Sequence, residues 1–290
     1  MLIGHQKIWQ YLKKSAELDK LPHAFLFSGP EKLGKKTLAL EFVKWLFKED
    51  IAKREHPDFI FVSPIKKEIQ IFQIRDCIWR LSLKPSVALF KVAIIDQAHC
   101  MNQEAQNCFL KTLEEPKGKT ILILITEYPE LLFPTILSRV QKIRFYPPNS
   151  AEIKDYLKKK GFGDKELAEI LKLSLGKPGE VMDFISDPQK LISRRKAISD
   201  LVKILNSDLS FRFQYVKELA KKQPRDLKEI LEIWLGHFRE IVISSLTRPS
   251  PKYSFEKIKN PIEFIQNTNF LLSTTNVNPR LALENLMLEI

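Results

Sequence analysis

Residues Leu21 to Thr37 read LPHAFLFSGPEKLGKKT: an apolar run, a turn with spaced glycines, then the opening of a helix. That order wraps backbone N–H groups around phosphate oxygens. Gly29, Gly34 and Lys35 fit the phosphate-loop spacing G-x-x-x-x-G-K-[ST], but Lys36 stands where the magnesium-binding hydroxyl belongs, and Thr37 comes one residue late. The glycines permit backbone conformations closed to other residues and let a phosphate approach without a Cβ in the way. Lys35 supplies positive charge to the terminal phosphates. Mg²⁺ demands octahedral oxygen ligation, which a lysine amine cannot provide. Hydrolysis is therefore not expected here, while nucleotide binding and a ligand-free strand-turn-helix both stay open.

Outward from this loop, the first half of the chain alternates short β-rich runs with helical stretches, the pattern of an α/β parallel sheet covered by helices on both sides. Strands are expected at Ala24 to Ser28, Phe59 to Ser63, Lys91 to Ile95 and Thr120 to Thr126, with a weaker fifth at Gln141 to Phe145. The first four are nearly all apolar, as strands buried on both faces must be. Ligands in such sheets sit at the carboxyl ends of the strands, where Gly29, Asp96 and Thr126 would lie. The run KVAIIDQAH ends a strand in Asp96, placed to hold a hydrated Mg²⁺ beside the loop; an Asp there also caps helices. Gln97 follows it, and a glutamine can orient a water but cannot take its proton, so no general base stands at that position.

MNQEAQNCFLKTLEEP, Met101 to Pro116, reads as a helix capped near Asn102 and stopped by Pro116. Its polar face carries Lys111, Glu114 and Glu115, which a salt-laced exposed helix would explain on its own. ELLFPTILSRV then makes a short helix ending in Ser138 and Arg139, and an arginine there complements the helix dipole.

The chain has 290 residues, more than one hydrophobic core usually serves, so two or three domains are expected. Its 47 Lys+Arg against 35 Asp+Glu give a formal net charge of +12, which attracts polyanions such as nucleic acid. Lysine-rich faces such as Lys158, Lys159, Lys160 and Lys221, Lys222 are by themselves ordinary solvated helix surface. No apolar run is long enough to span a bilayer, and MLIGHQKIWQYLKK has neither the apolar core nor the cleavage site of a signal peptide, so the cytoplasm is the expected location. Cys77, Cys100 and Cys108 lack C-x-x-C spacing and suit reduced structural thiols.

Taken together, HAFLFSGPEKLGKKT, HPDFIFV, IRDCIWRLSLKP, KVAIIDQAHCMNQEAQNCFLKTLEEP and LLFPTILSRVQKIRF resemble, in the same order, the bacterial DNA polymerase III clamp-loader subunits of the AAA+ family, most of all the delta prime type. The resemblance is dense from residue 1 to about 185, and LKTLEEP and PTILSR are its most specific segments. It implies a AAA+ phosphate-loop domain over residues 1–147, a small helical lid over 148–186 and an all-α collar domain over 187–290. It also implies assembly with gamma/tau and delta subunits in a five-membered ring that loads the sliding clamp on primed DNA, with lysines and arginines touching the backbone irrespective of sequence. In that family the Ser-Arg motif reaches into a neighbour's ATP site, so Ser138 and Arg139 match an arginine finger acting in trans.

Matched residue by residue, the resemblance also implies that this chain is not a motor. Lys36 replaces the hydroxyl, Gln97 replaces the acid, and Gly179 in GKPGEVMDF stands where motor subunits carry the lid's sensor arginine. Lys35, Asp96 and Thr126 remain, leaving a degenerate pocket formed by Gly29, Gly34, Lys35, Lys36, Thr37, Asp96, Gln97 and Thr126. No cofactor is required of it, and ATP or ADP binding is expected to be weak or nil. An active gamma/tau-type ATPase is the alternative within the family, and a small phosphotransferase the alternative outside it, though no acceptor-substrate site is legible beside the loop. Many relatives carry cysteines ahead of HPD, spaced to hold a tetrahedral Zn²⁺. Here WLFKEDIAKREHPD has none, so no zinc is expected and His56 reads as a turn histidine.

Beyond Pro147 and Pro148 the pattern is helical throughout. Helices are expected at Ala151 to Lys160, Asp164 to Leu175, Gly179 to Ser186, Pro188 to Leu205, Leu209 to Lys222, Pro224 to Leu246, Pro261 to Ser273 and Pro279 to Ile290, with TRPSPKYS as a loop. The last segment, NVNPRLALENLMLEI, starts with Asn278 at the cap and Pro279 in the first turn, and its leucine face suits packing in a collar.

Overall fold

The computed structural model describes residues 3–48, 56–221, 223–247, 255–275 and 277–290. Residues 1–2, most of the insert before HPD, Lys222, residues 248–254 (most of the segment expected as a loop) and Asn276 lie outside the described residues. The chain divides into two compact units, Met1–Met182 and Asp183–Ile290.

In the first unit the elements run α1 (Gln6–Glu17), β1 (Ala24–Ser28), α2 (Lys35–Phe47), β2 (Phe59–Val62), α3 (Ile71–Ser82), β3 (Lys91–Ile95), α4 (Gln103–Glu114), β4 (Thr120–Thr126), α5 (Pro134–Leu137), β5 (Gln141–Arg144), α6 (Ser150–Lys159) and α7 (Asp164–Ser174), followed by the start of α8 (Pro178–Ser186). The strands form one parallel sheet in the order β2-β3-β4-β1-β5. Successive side chains of a strand point to opposite faces, and here each face has its own core. Phe25, Phe27, Val92, Ile94, Ile121 and Ile123 pack with Leu38 and Phe42 of α2 on one side. Ala24, Leu26, Ala93, Ile95, Leu122 and Leu124 pack with Ile74 and Cys77 of α3 and Phe109 and Leu113 of α4 on the other. Each fully buried Phe, Leu or Ile contributes roughly 1.5–3 kcal/mol relative to exposure, so both faces must be apolar. That is why the three inner strands, β3, β4 and β1, read as nearly unbroken apolar runs.

β5 differs. It pairs with β1 alone, and Gln141, Lys142 and Arg144 are exposed. At the opposite edge, Asp58 just before β2 is completely buried. Its carboxylate accepts from the backbone N–H groups of Ser86 (2.8 Å), Val87 (2.8 Å) and Ala88 (2.9 Å) and lies 3.7 Å from Lys91 Nζ, itself only 4% exposed. This anchors the loop between α3 and β3. His56 is a turn residue: its Nδ1 accepts from Asp58 N at 3.2 Å and its ring packs on Phe47. None of the three cysteines is in a disulfide, and burial pushes the Cys77 thiol up to about 12.

The second unit is helical among its described residues. α9 (Pro188–Leu205), α10 (Leu209–Leu219), α11 (Pro224–Thr247), α12 (Phe255–Thr274) and α13 (Pro279–Glu289) enclose a core around Leu201, Trp234, Ile265, Leu283 and Met287. Trp234 is completely buried and donates from Nε1 to the Ala197 carbonyl at 3.1 Å. Asn278 caps α13 as expected, its Oδ1 accepting from Arg280 N at 3.0 Å. Two boundaries are corrected: α10 stops at Leu219, short of the expected Lys222, and α12 begins at Phe255 and carries Pro261 inside it, where the sequence pattern starts the helix at the proline. An interior proline removes one donor and crowds the preceding turn, a cost that burial of Ile265 and Leu272 from the same helix offsets.

Candidate functional site

At the carboxyl ends of β1, β3 and β4 lies a cavity of about 260 Å³, and Gly34, Lys35, Lys36, Thr37, Asp96, Gln97 and Thr126 all line it. The sheet order explains the convergence, since β4 sits between β3 and β1 and brings their ends together. Gly29 stays at the rim of β1, donating its N–H to the Thr126 carbonyl. Its φ is +136°, and a Cβ there would lie 2.6 Å from the Phe145 carbonyl oxygen. Gly34 takes φ +88° as the residue before α2, a conformation that disfavours side chains and opens the helix without a side-chain cap.

Several polar members of the cavity have definite partners. Lys35, 6% exposed, folds its ammonium back onto the carbonyls of Gly29 and Pro30. Thr126 Oγ1 accepts from Tyr128 N at 3.1 Å and lies 3.0 Å from His99 Nδ1, a neighbour the sequence pattern did not flag. Gln97 has φ +53° and its side-chain oxygen faces Cys100 Sγ at 3.9 Å. Most telling is Lys36, whose Nζ lies 2.9 Å from Asp96 Oδ2 and 4.6 Å from the centre of the Phe61 ring.

A phosphate-loop fold implies a nucleotide with Mg²⁺, and the residues present do not fit the metal. The side chain that should bring a hydroxyl brings an ammonium, and it holds Asp96, the strand-end carboxylate that would order the metal's waters. A divalent ion about 4 Å from a lysine ammonium meets repulsion of several kcal/mol even at an effective dielectric near 20.

Gly179 explains the missing sensor arginine in structural terms. Its N–H donates to the Lys32 carbonyl at 2.8 Å, and a Cβ would fall 2.8 Å from Lys32 O and Cβ and 2.9 Å from its Cα. Lys32 itself takes φ +60°, and its Nζ reaches Glu180 Oε1 at 3.0 Å, with the Glu180 side chain only 4% exposed. The first turn of α8 thus lies directly against the loop, in space an arginine would need. Gly179→Arg is expected to cost roughly 1–3 kcal/mol through this overlap. Urea unfolding of the full chain reads it, and an unchanged midpoint would show that the contact yields freely.

Ser138 and Arg139 do not line the cavity. They end α5, where Arg139 Nη1 donates to the Thr135 carbonyl at 2.8 Å and to Ser138 Oγ at 3.2 Å. Arg139 Nη2 lies 2.7 Å from Glu114 Oε1 at the end of α4, and the arginine side chain keeps 34% of its surface exposed. Gln106, in the middle of α4 and only 4% exposed, braces this region. It donates to the Met101 (3.1 Å) and Leu131 (3.2 Å) carbonyls and accepts from Phe133 N at 2.8 Å, tying α4 to the segment leading into α5. Neither Glu114 nor Gln106 stood out in the sequence as more than helix surface or core.

Residues 4–149 match the family model described as DNA polymerase III, delta subunit. The chain belongs to this family. Among individual members of the DNA polymerase III group, it is 25% identical over 303 residues to subunit delta' of Bacillus subtilis (strain 168), covering 95% of this chain and 90% of that one. It is 31% identical over 193 residues to subunit delta' of Pseudomonas aeruginosa, covering 60% of this chain and 58% of the relative. Subunit tau of Bacillus subtilis is 27% identical over 296 residues, with 89% and 52% covered. A DNA polymerase III gamma subunit-related protein of Thermotoga maritima superposes with a TM-score of 0.53 at 20% identity, covering 96% of this chain and 97% of that one. The last likeness speaks for the AAA+ fold alone.

Proposed function

We propose that this chain is the delta'-type, non-motor subunit of the clamp loader of the replicative DNA polymerase III, working in the cytoplasm. Its role is to lend Arg139 to a neighbouring subunit's ATP site while turning over no ATP itself. One observation carries the reading: the arginine of the Ser-Arg motif is held outside its own cavity, in a fixed and partly exposed position, while that cavity has an ammonium on its metal-ordering carboxylate. A guanidinium with no phosphate of its own to serve gains a task only in trans, where it stabilises charge developing on a transferring phosphoryl group.

Family membership and the delta' and tau relatives support other subunits of the same assembly as partners; a five-membered ring of gamma/tau and delta subunits, the sliding clamp and primed DNA complete the proposal. The net charge of +12 favours the last of these through backbone phosphates, so DNA affinity falls steeply with salt and does not depend on sequence. A magnesium-dependent ATPase assay on the isolated chain tests the non-motor reading. Turnover is expected to stay at background with and without primed DNA. Robust DNA-stimulated hydrolysis by the chain alone would overturn it in favour of an active gamma/tau-type motor.

A further inference from the structure

We infer that the cavity takes the polyphosphate group of a nucleotide without a divalent cation, the Lys36 ammonium acting as fixed counter-charge to Asp96; the inference rests on the reading of this loop as an ancestral nucleotide site. In a magnesium-dependent loop, Asp96 would face a divalent charge that offsets it and the phosphates. Lys36 already offsets Asp96 from 2.9 Å, and the Phe61 ring at 4.6 Å helps hold it there. An ammonium has three donors, and one carboxylate oxygen engages one of them. Half of the Lys36 side chain is exposed, on the wall of the cavity itself. Lys35, in the same helical turn, spends its donors on the Gly29 and Pro30 carbonyls, acceptors that an anionic oxygen outcompetes. Glu31 and Glu127 also line the cavity and oppose an anion, so the affinity is modest.

The experiment is calorimetric titration of the full chain with ADP, ATP and inorganic pyrophosphate, each in EDTA and in excess Mg²⁺. ADP is expected to bind with dissociation constants agreeing within about twofold in the two buffers. Pyrophosphate binding as tightly as ADP would locate recognition in the phosphates alone; tighter ADP binding would add the nucleoside, and both uphold the inference. Lys36→Thr is expected to bind ADP at least about tenfold more tightly with Mg²⁺ than without. Asp96→Asn, which removes the charge Lys36 offsets, is expected to bind in EDTA at least as well as the parent chain. Binding by the parent that requires Mg²⁺, or no saturable binding of any of the three in EDTA, overturns the inference. Its failure is separable from failure of the proposed function, because it is read on the isolated chain and leaves the contribution of Arg139 to an assembled complex untouched.

Discussion

In the assembled clamp loader, Arg139→Ala is expected to slow DNA-stimulated hydrolysis at the neighbouring ATP site by roughly 10³-fold, the scale typical of a missing arginine finger. Assembly should survive, because the side chain is partly exposed and its own contacts are surface contacts to Glu114, Thr135 and Ser138. Exposed ion pairs of this kind contribute about 0–1 kcal/mol to stability. Arg139→Lys should not restore the rate, since an ammonium lacks the planar fork that the guanidinium presents to phosphoryl oxygens. Single-turnover hydrolysis on a complex shown to be intact by gel filtration separates the two effects. An intact complex whose neighbouring site works at the parent rate removes Arg139 from the mechanism.

The second large effect concerns folding. Asp58→Ala is expected to destabilise the first unit by roughly 3–5 kcal/mol, because it leaves Lys91 as a buried ammonium without its carboxylate and strips the acceptor from three backbone N–H groups. Burial alone would raise the Asp58 carboxyl, but the N–H donors of Ala88, Val87 and Ser86 and the Lys91 charge outweigh it and hold it below its ordinary value. A carboxyl lowered in the folded state stabilises fully above its unfolded value of about 3.9, and that share disappears as the pH falls through the lower folded value. The gap between parent and Asp58→Ala in urea unfolding should therefore be constant at neutral pH and narrow in acid. A gap under about 1 kcal/mol at pH 7 would mean that the loop relaxes around the loss.

How much of this was legible in the sequence depended on burial. β1, β3 and β4 appear with the expected boundaries because both faces are covered and nearly every position between their ends is apolar. β2 and β5, the two edge strands, end one residue early, at Val62 and Arg144. The loop residues were readable from spacing alone, and all but Gly29 line one cavity. What could not be read was pairing across long separations: Lys36 with Asp96, Gly179 with Lys32, Arg139 with Glu114. Asp58 was hidden for the same reason, since its three donors lie 28 to 30 residues downstream. Pro261 misled because a proline commonly opens a helix, and only tertiary packing shows that this one sits within.

The short fifth strand has a consequence for the subunit before it meets its partners. A sheet that ends in unpaired peptide groups invites a strand from another molecule, and a replication subunit released from the ribosome must wait among many copies of itself. β5 is only four residues long and carries Lys142 and Arg144 in the open, so two such margins brought together would set cation against cation. Self-association by strand addition is thereby discouraged.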